Sequence, residues 1–107
     1  MVATPEDILD DLSTIIMDLG AIREQVTDPA ERAEINSQIK ALTKSWKTID
    51  SRRTEQSNSA IDNAKKELET ITKELKVQKK KLQKVAEVIH RAARAVAIAE
   101  RVAKMVA

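Results

Sequence analysis

Glu87 and His90 are the residues whose types and spacing come closest to a known chemistry. Three residues apart on a helix, a carboxylate and an imidazole lie on one face, as the metal ligands of di-iron bundles do. Such a centre requires a second Glu-x-x-His motif, and the sequence contains only this one. The heptad pattern described below also places both side chains on the outer side of their helix. We therefore interpret them as a solvated pair and predict no metal site.

No other pattern in the sequence indicates catalysis. His90 is the only histidine and cysteine is absent, which excludes histidine-based triads, zinc-finger ligation and disulfides. Asp7, Asp10 and Asp11 cluster where a helix begins, and compensation of the helix dipole explains them. We predict a non-enzymatic protein with no catalytic residues and no cofactor.

The composition favours a single all-α domain. The chain has 107 residues, one glycine, two prolines and one aromatic residue, Trp46. A chain this poor in turn residues and in tyrosine and phenylalanine does not make a β fold. Charged residues make up 34% of the chain and apolar residues 42%, so a few long amphipathic helices are expected.

Two start signals predict an antiparallel hairpin of two helices. Thr4-Pro5-Glu6-Asp7 precedes an apolar stripe with spacings of 4 and 3, and predicts a helix over about residues 5–26. Asp28-Pro29-Ala30-Glu31 repeats the signal and predicts a second helix over about residues 29–52, with Trp46 in its apolar stripe. The very short connection makes the two helices antiparallel neighbours.

A linker over about residues 53–59 and a long third helix over about residues 60–106 complete the predicted domain. Ser59 and Asp62 are interpreted as the capping box of this helix. Its apolar positions alternate by 3 and 4 for 46 residues without Gly or Pro. This heptad pattern predicts coiled-coil-like packing in an elongated bundle, with a straight helix of roughly 70 Å. The alternative is a fold-back near Lys79, which would give four helices; the straight form is preferred because residues 77–84 are all helix-compatible.

The C-terminal half of this seam is the candidate partner-binding surface. The hairpin is long enough to cover only half of the third helix, which leaves an apolar stripe for a second copy or another helical protein. The residues of that stripe are Val85, Ile89, Ala92, Val96, Ala99, Ala103 and Val106. Gln78 is the one polar seam residue before the alanine-rich end, and we predict that it sets the register. Gln78→Leu is then expected to raise the melting temperature and loosen the assembly.

Gly20 allows two interpretations. It belongs to a stripe of small residues, Ser13, Gly20 and Thr27, spaced by seven. A glycine in mid-helix costs about 1 kcal/mol relative to alanine, which close packing of a neighbouring helix could offset. The other interpretation is an exposed, tolerated glycine.

Charge is unevenly distributed along the chain. Residues 1–30 carry a net charge of −6, residues 31–75 carry +1, and residues 76–107 carry +7. The two ends are therefore expected to face each other or oppositely charged partners. Nucleic acid is unlikely as a partner, because the basic run at residues 76–84 has no aromatic residue for stacking and encircles its helix.

The sequence thus predicts a cytoplasmic helical module that oligomerises and docks a partner, of the inhibitor, immunity or accessory type. The N-terminus is acidic where a secretory signal would be basic, and no stretch approaches the roughly 20 apolar residues of a membrane span. Export without a cleavable signal stays open. The alternative function is a membrane-surface or pore-associated protein that uses the amphipathic residues 82–107.

Overall fold

Four α-helices form nearly all of the computed structural model, which describes residues 3–52 and 58–106. They are α1 (Pro5–Arg23), α2 (Pro29–Ser51), α3 (Ser59–Lys80) and α4 (Val85–Val106). No strand occurs in the two described ranges. The predicted all-helical class is confirmed.

The first two helices begin at the predicted signals. The Asp7 carboxylate accepts a hydrogen bond from the backbone N–H of Thr4 at 2.9 Å. At the start of α2 the bond runs in the opposite sense, because the carboxylate of the cap residue Asp28 accepts from the N–H of Glu31 at 2.9 Å. α1 ends at Arg23, short of the predicted residue 26, because the next N–H groups bond to carbonyls only three residues back and tighten the chain into the turn.

The third start signal was misplaced by one residue. Asn58, rather than Ser59, caps α3, and its side-chain oxygen accepts from the N–H of Ile61 at 2.9 Å. Asp62, assigned to the same capping box, instead accepts the N–H of Ala3 at 2.9 Å and ties the start of α1 to α3. Of the predicted linker, residues 53–57 lie outside the described residues.

α1 and α2 pack together as the predicted hairpin. The apolar residues that follow the first start signal at spacings of 4 and 3 are each at most 2% exposed: Ile8, Leu12, Ile15, Leu19, Ile22 and Val26. Trp46 packs against the core, and its indole N–H donates to the carbonyl of Leu9 on α1 at 3.1 Å. The tryptophan is therefore a packing residue between the two helices, as its position in the stripe predicted.

The prediction of a straight third helix is wrong. The chain leaves helical geometry at Lys81, which is extended, and becomes helical again at Val85, so that α4 returns along α3. The longest dimension of the molecule is 41 Å, whereas a straight helix would measure roughly 70 Å. The four-helix alternative is the arrangement that the structure has.

Burial of the apolar face of α4 explains why the chain folds back. Val88, Ile98 and Val102 are at most 1% exposed. Full burial of such a side chain contributes about 1.5–3 kcal/mol, whereas a helical hydrogen bond lost at the turn costs about 0.5–1.5 kcal/mol. A straight helix would leave these side chains in water, because the hairpin is too short to reach them. For a single chain, the folded-back form therefore has the lower free energy.

The four helices occupy the corners of a square. α1 and α4 each pack against both α2 and α3, so that α2 and α3 lie at opposite corners. α1 and α3 run parallel, since Ala3 bonds to Asp62 at one end and Gln25 bonds to Lys79 at the other. α3 and α4 are antiparallel neighbours joined by residues 81–84, which we call the α3–α4 turn.

Gly20 is not at a close helix contact. A Cβ atom built on it meets no atom within 4 Å, and its φ is not positive. The second of the two interpretations, a tolerated glycine, is therefore correct.

We expect Gly20→Ala to stabilise the protein. Alanine fills open space and reduces the conformational freedom of the unfolded chain, which should raise the free energy of unfolding by about 0.4–1 kcal/mol. Urea unfolding followed by circular dichroism measures this difference. A loss of stability would show that the position is packed after all.

Candidate protein-binding face

Glu87 and His90 are both exposed on α4, and the Glu87 carboxylate lies 3.7 Å from the ammonium group of Lys84. Within residues 3–52 and 58–106, no group of three His, Cys, Asp or Glu side chains is placed to hold a metal ion. The pair sits on the outer side of α4, which is where the heptad pattern positioned it.

The seven predicted partner-binding residues lie within the bundle. Ala92 and Ala99 are fully buried and Val106 is 9% exposed. The other four, Val85, Ile89, Val96 and Ala103, are partly buried and pack against the core. The half of the seam that was expected to need a partner is therefore covered by α2 and α3 of the same chain. In this conformation only the partly exposed edge of the stripe faces outward.

Gln78 lies at the α3–α4 turn rather than within a seam of two long helices. Its side-chain oxygen accepts from the backbone N–H groups of Gln83 at 3.0 Å and Lys84 at 3.3 Å. These N–H groups have no helical acceptor, because the helix is interrupted before them. Gln78 was expected to set the register of a long seam, but the helix that would carry this seam ends at Lys80. The residue stabilises the turn instead.

Gln25 is a second turn-stabilising residue, and the sequence analysis did not single it out. Its side-chain nitrogen donates to the carbonyl of Lys79 at 2.8 Å, and its side-chain oxygen accepts from the N–H of Leu82 at 3.3 Å. One amide thus satisfies backbone groups on both sides of the end of α3. Since Gln25 precedes Lys79 by 54 residues, no local pattern indicates this contact.

Acidic side chains of α1 meet lysines of α3. Asp18 is only 2% exposed, and its carboxylate lies 3.1 Å from the ammonium group of Lys79 and 3.8 Å from that of Lys76. Asp11 accepts a hydrogen bond from Lys65 at 2.8 Å. A buried carboxylate requires such partners. Part of the charge asymmetry of the chain is therefore neutralised internally, as one of the two sequence interpretations proposed.

A second set of ion pairs joins α3 to α4. The Arg91 guanidinium contacts the Glu74 carboxylate, and that of Arg94 lies 3.6 Å from the Glu67 carboxylate. All four side chains are at least one third exposed. Screening by water limits what each pair contributes to stability, so their main effect is to favour the antiparallel pairing of the two helices.

The Asp11–Lys65 pair affects the protonation of both groups. Burial raises the pKa of the Asp11 carboxyl above its ordinary value, and the hydrogen bond from Lys65 compensates only in part. Partial burial lowers the pKa of Lys65, but its bonds to Asp11 and Glu69 outweigh this effect and raise the pKa overall. The carboxylate thus bears a net desolvation cost that its partner does not fully offset.

The outer face of α1 is an acidic surface. We define it by the residues opposite the buried stripe: Glu6, Asp10, Ser13, Met17, Ala21 and Glu24. Met17 is 71% exposed, the largest exposed fraction of any large apolar side chain in the part of the chain described. The one arginine of α1, Arg23, donates to Asn36 on α2 at 2.6 Å, and its guanidinium also lies 3.6 Å from the Glu24 carboxylate at the C-terminal end of this face. The face therefore presents an apolar side chain among carboxylates.

Met17 was not among the residues that the sequence predicted to bind a partner. A signal was available, because Met17 is the only large apolar residue on the polar side of the first apolar stripe.

Comparison with protein families, with curated proteins and with solved structures finds no match to this chain. None of the described helices is long and apolar enough to cross a membrane.

Gln78→Leu is expected to lower stability, the reverse of the sequence-based expectation. Leucine cannot accept the N–H groups of Gln83 and Lys84, and losing these exposed bonds should cost about 0.5–1.5 kcal/mol. Thermal unfolding of the wild type and the variant at low micromolar concentration measures the change. A higher melting temperature would indicate that Gln78 lies in an apolar seam.

The raised pKa of Asp11 predicts how Asp11→Asn changes the pH dependence of stability. Since the folded-state pKa lies above the ordinary 3.8, the folded protein binds this proton more tightly than the unfolded chain does. The contribution of Asp11 is then largest below pH 3.8 and decreases as the pH rises through the folded pKa. We expect the free energy of unfolding of the wild type, minus that of Asp11→Asn, to fall between acid and neutral pH. A difference that increases with pH would show that Lys65 dominates.

Proposed function

We propose that this chain is a non-enzymatic protein-interaction module whose outer face of α1 docks a basic amphipathic helix of another protein. The observation that carries the proposal is the exposure of Met17, at 71%, in the middle of an acidic helix face. Methionine is flexible and polarisable, and it suits a surface that receives the apolar side chains of a partner.

Charge defines the chemistry of the partner. Asp10 and Glu24 are exposed on either side of Met17. A helix with lysines or arginines flanking an apolar stripe would place its cations against these carboxylates and its apolar residues on Met17. Complementary charge of this kind increases the association rate and selects against acidic partners.

The small side chains of the face allow a close approach. Ser13 and Ala21 lie one turn before and after Met17, and Gly20 has open space where a Cβ atom would be. A partner helix can therefore contact both the methionine side chain and the nearby backbone of α1.

This proposal retains the predicted class of protein, a helical binding module of the inhibitor, immunity or accessory type. Its compartment remains the predicted cytoplasm. The alternative, a membrane-surface protein that uses residues 82–107, requires α4 to leave the bundle, because its apolar face is in contact with α2 and α3. The outer face of α1 needs no such rearrangement, which is why we favour protein binding.

Affinity capture from an extract of the source cells tests the proposal with two variants of α1. We expect Met17→Lys to weaken capture at least tenfold, which corresponds to about 1.4 kcal/mol. Asp10→Lys is expected to weaken capture as well. Capture by the wild-type protein should decrease as the salt concentration rises, because salt screens exposed charges.

Glu34→Lys provides the matched control. Glu34 is an exposed carboxylate on α2, outside the proposed face, so the substitution changes the net charge by the same amount as Asp10→Lys. We expect it to leave capture unchanged. Equal losses of capture for Asp10→Lys and Glu34→Lys would mean that only the net charge matters. A captured protein without a basic amphipathic helix would contradict the proposed docking mode.

A further inference from the structure

The heptad spacing of α3 continues in the sequence into α4 through the turn that separates them, and of the seam positions of α4 it is Ala92, Ala99 and Val106 that are buried. The seam positions of α3 end with Leu75 and Gln78, and those of α4 begin with Val85 and Ile89, with Leu82 between them at unbroken spacings of 3 and 4. A four-residue turn between two helices does not require this continuity, since each helix could have its own phase. A continuous helix does require it.

The α3–α4 turn also lacks the residues that enforce a turn. Lys81, Leu82, Gln83 and Lys84 include no Gly, Pro, Asn or Asp, and none of them has a positive φ. Residues of these types are good or acceptable helix formers. The covalent structure of the turn therefore does not oppose straightening.

Side-chain amides satisfy the backbone of the turn, and a straight helix would satisfy it equally well. The carbonyl of Lys79 now bonds to Gln25, and the N–H of Gln83 bonds to Gln78. In a continuous helix these two backbone groups would bond to each other, four residues apart. Straightening thus replaces side-chain bonds with helical ones, with no backbone group left unsatisfied.

The register of α3 against α4 suits a symmetric pair of straight helices. Glu74 contacts Arg91, and the point midway between them in the sequence is the bond between Leu82 and Gln83, within the turn. Two straightened helices in antiparallel orientation would form the same Glu74–Arg91 pair between copies, twice, around a twofold axis at that bond.

From these observations we propose that two copies of this chain exchange α4, with the α3–α4 turn straightened into one helix from Ser59 to Val106. Each α4 would then pack against α2 and α3 of the second copy. The contacts of the closed chain are reproduced between copies, including those of the seven seam residues from Val85 to Val106. The two copies of Leu82, which is only partly buried in the closed form, would meet at the axis. The exchange goes beyond the proposed docking function and does not use the outer face of α1.

Exchange predicts a dimer that forms slowly and depends on concentration. α4 must leave its own chain before it can join the other, so dimer formed by refolding at high concentration should persist when it is diluted. Size-exclusion chromatography with light scattering measures both species. A single monomeric species after refolding at every concentration up to the millimolar range would overturn the proposal.

A cross-linking experiment distinguishes exchange from association of closed chains. The protein has no cysteine, so Glu74→Cys and Arg91→Cys can each be introduced alone into the full chain. The two variants are refolded together and treated with a short bis-maleimide. Exchange places position 74 of one chain beside position 91 of the other and gives a cross-linked heterodimer, identified by mass. If a dimer forms without this product, the chains associate through another surface and the proposal is wrong.

Two glutamine variants and a matched control test the role of the turn. Gln25→Leu and Gln78→Leu remove bonds that exist only in the closed form, so both should shift the population towards dimer. In Gln38→Leu the lost bond is the one that Gln38 donates to the carbonyl of Ile89 at 2.9 Å, which joins α2 to α4 in either form. The control should therefore lower stability without shifting the population. Equal shifts for all three variants would contradict the mechanism.

Insertion of two glycines between Leu82 and Gln83 provides the opposite test. The insertion interrupts the continuous helix and relaxes the turn, so the dimer should be lost while the helical circular dichroism spectrum is retained. A dimer that survives the insertion would show that straightening of the turn is not required.

Discussion

The fold depends on the need to cover the apolar face of α4. This face is too wide to be covered by a single neighbour, and it contains β-branched and alanine side chains that are almost fully buried between α2 and α3, such as Val88, Ala95 and Ile98. The position of the turn, the antiparallel pairing of α3 with α4 and the square arrangement of the helices all follow from it. The two amides of Gln25 and Gln78 make the required turn possible in a segment that has no turn-forming residue.

Ion pairs connect the helices of this bundle one after another. Carboxylates of α1 meet lysines of α3, and carboxylates of α3 meet arginines of α4. Each pair joins neighbouring helices and contributes little by itself where it is exposed, but the pairs favour one set of neighbours over others. The outer side of α1 carries exposed carboxylates as well, such as Asp10. The carboxylates of α1 are therefore divided between ion pairs with α3 and the outer surface of the bundle.

Local signals predicted the parts of the fold that local interactions determine. Thr4 and Asp28 mark helix starts because a cap and a proline act within one turn of the chain. The turn at residues 81–84 has no such signal, since its cause is the burial of side chains on α4 and its stabilising contact comes from Gln25 on a distant loop. The same reason limited the candidate site. The stripe from Val85 to Val106 was predicted to bind a partner, whereas three of its residues are buried in the chain and four are partly buried against the core. Periodicity cannot tell whether an apolar contact lies within one chain or between two chains.

That ambiguity is a physical property of the sequence. In the proposed exchange, the closed chain and the exchanged pair would be stabilised by the same apolar contacts and ion pairs, so these contributions would nearly cancel in the free-energy difference between the two states. The difference would then depend on a small number of groups: the amides of Gln25 and Gln78, which bond only in the closed turn, and Leu82, which would meet its copy at the axis. Chain concentration then decides the balance, because closing the turn is intramolecular and exchange has the cost of bringing two chains together. Under the proposed exchange, a few polar contacts at one turn would set the assembly state, while the buried core would keep the same composition.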